Sequence, residues 1–121
     1  SGGRILITEK LQNLLATQLK NLVDGGSAKV GLGGNSTYSS QTDVDVVLVG
    51  ATSVSPYQSG TNVVQIKVTM SGATAAMTGQ VIRELGVFDD ESNMLLRQNF
   101  DGIGPFSSND TLEFFILLEV E

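Results

Sequence analysis

The chain has 121 residues, a formal net charge of −6, and no cysteine, histidine or tryptophan. That length suits one domain with a hydrophobic core of its own, while the absence of His and Cys removes the side chains most often used as base, nucleophile or zinc ligand. The charge is uneven: residues 1–80 carry five Lys/Arg against four Asp/Glu, and residues 81–121 carry two against nine, which opposes nucleic-acid binding.

No apolar run nears the ~20 residues that span a membrane, and no secretory signal opens the chain. Ser1-Gly2-Gly3 reads as the remnant of a cleaved tag or a trimmed terminus and is left out of the fold. Thr8 followed by Glu9 predicts a helix N-cap with an acid in the first turn. Leu11, Leu14, Leu15, Leu19 and Leu22 then recur at helical spacing until Asp24-Gly25-Gly26. A helix over 8–24 is expected, and one leucine stripe implies one buried side.

From residue 28 onward the pattern has period two, and 28–121 is expected to be mainly β. Ala28 to Leu32 predicts a short strand closing at Gly33-Gly34, followed by a polar loop from Asn35 to Thr42. Asp43 to Val49 predicts a strand with Val44, Val46 and Leu48 on one face. Ser53 to Asn62 reads as a Ser/Pro/Gly loop. Val63 to Ser71 alternates, with Val64, Ile66, Val68 and Met70 inward. Val81 to Arg97 predicts a hairpin turning at Asp89-Asp90-Glu91-Ser92-Asn93, and Asp101 to Asp110 separates it from the last strand.

That last strand, Thr111 to Glu121, has one wholly apolar face: Leu112, Phe114, Ile116, Leu118 and Val120. The opposite face is apolar only at its centre, at Phe115 and Leu117, between Glu113 and Glu119. Something of limited width covers such a centre, either the leucine helix or another subunit. The expected fold is α+β: a single domain, 1–121, with the N-terminal helix packed on an antiparallel β-sandwich.

Few constellations carry chemistry. Gly31-Leu32-Gly33-Gly34 superficially resembles a phosphate loop, but no helix begins after it, so the glycines are read as permitting a sharp turn or close packing. The acidic run Asp89–Asn93 lacks the ligand spacing of a calcium loop. Asp43-Val44-Asp45 reads as the wet side of an edge strand. Asn35-Ser36-Thr37 and Asn109-Asp110-Thr111 match the glycosylation acceptor pattern and are read as ordinary loop sequence. No Ser or Thr has a His partner, and no carboxylate pair has an aromatic sugar platform beyond Tyr38 and Tyr57. The expectation is no enzyme, no metal and no cofactor. Glu84 stands out, because alternation places it with Ile82 and Phe88, where an unpaired carboxylate is costly. It should meet backbone N–H groups or an arginine, Arg97 or Arg4.

Ile7-Thr8 with its leucine helix, Val30-Gly31-Leu32-Gly33, and above all Ile82-Arg83-Glu84-Leu85-Gly86-Val87-Phe88-Asp89-Asp90 resemble the tail-collar fibre and related structural proteins of tailed phages. The resemblance covers most of the chain but is specific only over 82–97. It departs at Glu9-Lys10-Leu11, where a glycine is common, and over Gln41 to Val54. It implies a virion part assembled in the host cytoplasm, with Glu84, Gly86 and Phe88 as structural determinants: Gly86 where a side chain would obstruct close approach, Phe88 as a core anchor.

Two functions follow as expectations. One is a structural protein that self-associates as a trimer or ring and docks on other virion proteins, in a tail/fibre-attachment or head-decoration position. Its assembly residues would include Glu84, Gly86, Phe88, Arg97, Phe115 and Leu117, and its partners neither nucleic acid nor membrane. The alternative is a receptor- or glycan-binding module of a tail fibre, contacting its ligand through the loops at 35–42, 53–62 and 71–78.

Overall fold

The computed structural model describes residues 2–34, 40–51, 53–58, 60, 62–74 and 76–121. Helix α1, Glu9–Val23, starts where Thr8 accepts the Leu11 N–H on its side chain, satisfying one of the free first-turn donors. It ends at Asp24, with Gly25 at φ +77° turning the chain away. Seven strands follow: β1 Ser27–Gly31, β2 Val47–Gly50, β3 Ser53–Gln58, β4 Val63–Ser71, β5 Ile82–Phe88, β6 Met94–Ile103 and β7 Thr111–Glu119. They form two antiparallel sheets, β2-β1-β5-β6 and β3-β4-β7. The fold is α+β, a helix packed on a β-sandwich.

Alternation does the work between the sheets. Val64, Ile66, Val68 and Met70 of β4 are buried opposite Ala28, Val30, Leu85 and Val87 of the other sheet, and α1 adds Ala16 and Val23 to the same core. Methyl and isopropyl groups, not leucines, thus meet the sheet, which lets the helix approach closely. Leu19 packs at the margin, whereas Leu11, Leu14, Leu15 and Leu22 face outward and are exposed. The expected leucine-in orientation is corrected: only one of the five stripe leucines points to the core.

The helix lies against β3 and β4. Gln58 of β3 fixes it there, donating to Asn13 Oδ1 at 2.9 Å and accepting from Thr17 Oγ1 at 3.2 Å. Gln58 is in register with the buried Val64, so α1 sits on the core side of its sheet. It therefore does not cover Phe115 and Leu117, which alternate to the other face.

Besides shifts of one or two residues at the ends of β1 and β7, three parts of the strand reading are corrected. Residues 53–58 form a strand, because β4 offers them a complete antiparallel register and Pro56 sits in a strand at the sheet edge, where a missing N–H is tolerated. Only Val47–Gly50 of the predicted 43–49 strand pairs with β1; Asp43 to Val46 bends over the sheet. Strand β6 runs on to Ile103, so Asp101 belongs to it. The predicted loop residues 35–39 and the candidate sugar platform Tyr38 lie outside the described residues, as do positions 52, 59, 61 and 75 in or beside the other loops.

Candidate functional site

A carboxylate taken out of water costs several kcal/mol unless its oxygens are fully hydrogen-bonded. Glu84, on β5, is fully buried. Its Oε2 accepts the backbone N–H of Gly33 at 2.7 Å and of Val46 at 2.9 Å. Its Oε1 accepts the Asp45 N–H at 2.7 Å and Arg97 Nη2 at 2.7 Å. Three chain segments distant in sequence are thereby pinned to one side chain. The arginine is Arg97 of β6, adjacent to β5, and not Arg4.

Arg97 is itself nearly buried. Its Nη2 also lies 3.1 Å from Asp45 Oδ2, and its Nη1 donates to the Asp43 carbonyl at 2.6 Å. Asp43 in turn pairs with Lys29 Nζ at 3.2 Å. Asp43-Val44-Asp45 is therefore not the wet side of a strand. Both carboxylates are ion-paired, and Val44 between them is buried. The segment that fails to make a strand is the lid on the outer face of the larger sheet.

The glycines before it have a physical reason that the sequence did not reveal. A Cβ on Gly33 would lie 2.5 Å from Glu84 Oε2 and 2.8 Å from Asp45 Cβ, and one on Gly31 would lie 2.5 Å from Glu84 Oε2 and collide with the Val46 carbonyl. The Gly-rich turn is a cradle, but for a carboxylate of the protein itself. The pairing of this motif with the Glu84 motif was the available signal: two glycines at and just past the end of one strand, and a buried acid on its neighbour.

Phe88 is buried but stands outside the central core. Lys29 Nζ lies 4.8 Å from its ring centroid. A Cβ on Gly86 would stand 2.9 Å from Met94 Cε and 3.0 Å from Phe88 Cε2. Phe88 thus anchors the outer layer rather than the space between the sheets. Ile82 departs from simple alternation as well: the register shift between Ile82 and Glu84 places Ile82 in the central core with Leu85 and Val87.

Asp89 closes the hairpin turn by accepting the N–H groups of Glu91 and Asn93 and the Asn93 side-chain amide, at 2.9, 2.8 and 3.0 Å. Among the described residues, no group of three or more acids, His or Cys is gathered as a metal site. A depression of about 230 Å³ lies beside Ser40, Gln41 and Met94 to Arg97.

Among the described residues, exposed large apolar side chains fall in three places, the smallest being Val46 and Val47 where the 43–46 segment runs into β2. On the smaller sheet, Phe115 and Leu117 of β7 are 58% and 66% exposed, with Tyr57 two strands away. On α1, Leu11, Leu14, Leu15 and Leu22 face outward, preceded by exposed Ile5 and Leu6. No protein-family model matches the chain, and no curated protein matches it.

Every contact to Glu84 is a donor, and both oxygens are used. An amide at this position must turn its NH₂ toward two donors, so Glu84→Gln is expected to destabilise nearly as much as Glu84→Ala. Each should cost about 3–5 kcal/mol, the usual penalty for breaking a buried pair, and lower Tm by on the order of 10 °C in a thermal melt. A Glu84→Gln variant melting with the wild type would contradict the geometry.

Two acids give a pH signature. Burial pushes the Asp43 carboxyl up, but the Lys29 ammonium, the Val44 N–H and the charge of Arg97 together hold it below its usual value. The Asn93 side chain and N–H, with the Glu91 N–H, hold Asp89 low as well. A depressed folded-state pKa contributes stability that is present above about pH 4 and lost as the pH falls through the folded value. The urea midpoint should therefore drop between about pH 5 and pH 3, and drop less in the Asp43→Asn/Asp89→Asn double variant. An equal drop in both would remove these two groups from the acid response.

Proposed function

We propose that this chain is a non-catalytic virion structural protein of the tailed-phage kind. It self-assembles and docks on other virion proteins, in a tail/fibre-attachment or head-decoration position, after assembly in the host cytoplasm. The resemblance of Ile82 to Asp90 to the tail-collar fibre group brings the class. What carries the assembly role is the exposed apolar surface of β7 and α1. Each Phe or Leu left in water forgoes about 1.5–3 kcal/mol relative to burial, and such surface clustered in patches marks interaction sites.

The interior supports a rigid building block. Glu84 and Arg97 clamp two non-strand segments, the Gly33 turn and Asp43–Val46, onto the larger sheet, and a stiff part loses little conformational entropy when it docks.

Light scattering over a concentration series tests the reading. The expected result is a defined oligomer, a trimer or a closed ring, that withstands raised salt because its contacts are apolar. A monomer at every concentration would contradict self-assembly, and a monomer that binds glycans saturably would replace it with the recognition-module function.

A further inference from the structure

Resting on the self-assembly reading, we infer that the occupant of the exposed β7 centre is the outward leucine face of α1 from a second copy, joined head to tail. The two patches lie on opposite sides of the smaller sheet. Helix α1 sits on its core side through Gln58, while Phe115 and Leu117 point the other way. No copy can lay its own helix on its own β7 face, so the contact is between copies.

Charge selects the helix over the other self-contacts. Around β7 stand Glu113, Glu119 and Glu121, with Lys67 already paired to Glu113 at 3.2 Å. Laying two β7 faces together would set these acids against their own copies, and like charges across strands destabilise. From Arg4 to Asp24, by contrast, three cations (Arg4, Lys10 and Lys20) stand against two acids (Glu9 and Asp24), and Lys20 lies on the helix side opposite Leu11 and Leu22. Helical spacing puts Lys10 beside the leucine face. A leucine face flanked by Lys10 thus meets an apolar centre flanked by the acids Glu119 and Glu121, with Lys67 beside Phe115 and already paired to Glu113.

Size agrees. Glu113 and Glu119 are six residues apart on β7, about 20 Å at 3.4 Å per residue. A helix about 10–12 Å across fits between them over Phe115 and Leu117. Pairing α1 with α1 would leave Phe115 and Leu117 in water in every copy, whereas the head-to-tail contact covers both patches at once. A heterologous contact of this kind closes into a ring or runs on as a filament.

The chain has no cysteine, so introduced thiols report without background. Leu14→Cys and Leu117→Cys, both at exposed positions, are made as single variants and treated with a short bismaleimide, alone and mixed. The expected result is a covalent dimer in the mixture only, with the Leu14→Cys/Leu117→Cys double variant giving a ladder that stops at the ring size or runs on for a filament. Crosslinking within the Leu14→Cys sample alone, within the Leu117→Cys sample alone, or in no sample while light scattering still shows an oligomer would overturn the head-to-tail contact and leave self-assembly standing. A wild-type monomer in light scattering would instead remove the reading beneath it.

Discussion

The structure hangs on one buried carboxylate. Glu84 collects four donors from the Gly-rich turn, the Asp43–Val46 segment and β6, and without them its burial is untenable. Each partner is constrained in return. Gly31 and Gly33 have no room for a side chain, Arg97 is committed at both terminal nitrogens, and residues 43–46 are drawn out of β-ladder geometry to present consecutive N–H groups. A hydrophobic residue at 84 would leave those donors stranded. The acid and its lid are one device.

This device makes the two sheets unlike. The larger sheet has its outer face roofed by its own chain, through Val44, Asp43 and Asp45, with Phe88 held beneath Lys29. The smaller sheet has no such roof among the described residues, and its outer face keeps Phe115 and Leu117 in water. One outer face is thus largely covered within the chain, Val46 and Val47 excepted, and the other is open. The helix follows the same division: its small residues turn toward the core, and most of its leucines turn away.

Much of this was legible. The Thr8 cap and Asp24-Gly25 stop bound α1, the alternation of Val63 to Ser71 bounds β4, and the acidic turn places the hairpin. Glu84 was readable as needing N–H donors or an arginine because a carboxylate among apolar neighbours has few alternatives. The misreadings have physical causes. Leucines dominate a hydrophobic stripe by bulk, yet Ala16 and Val23 are what a close helix–sheet contact admits. Strand β3 hides behind Ser, Pro and Tyr because an edge strand has one neighbour and needs little apolar content. Residues 43–46 look like a strand because Val alternates with Asp, but a tertiary carboxylate outcompetes the ladder for their N–H groups.

Amide hydrogen exchange at Gly33, Asp45 and Val46 tests the central constraint most directly. None of the three lies in a regular strand, so ordinary loop behaviour would be rapid exchange. If Glu84 holds their N–H groups, all three exchange as slowly as the central amides of β5 and speed up together in Glu84→Ala. Rapid exchange at these positions in the wild type would show that the carboxylate does not organise the fold.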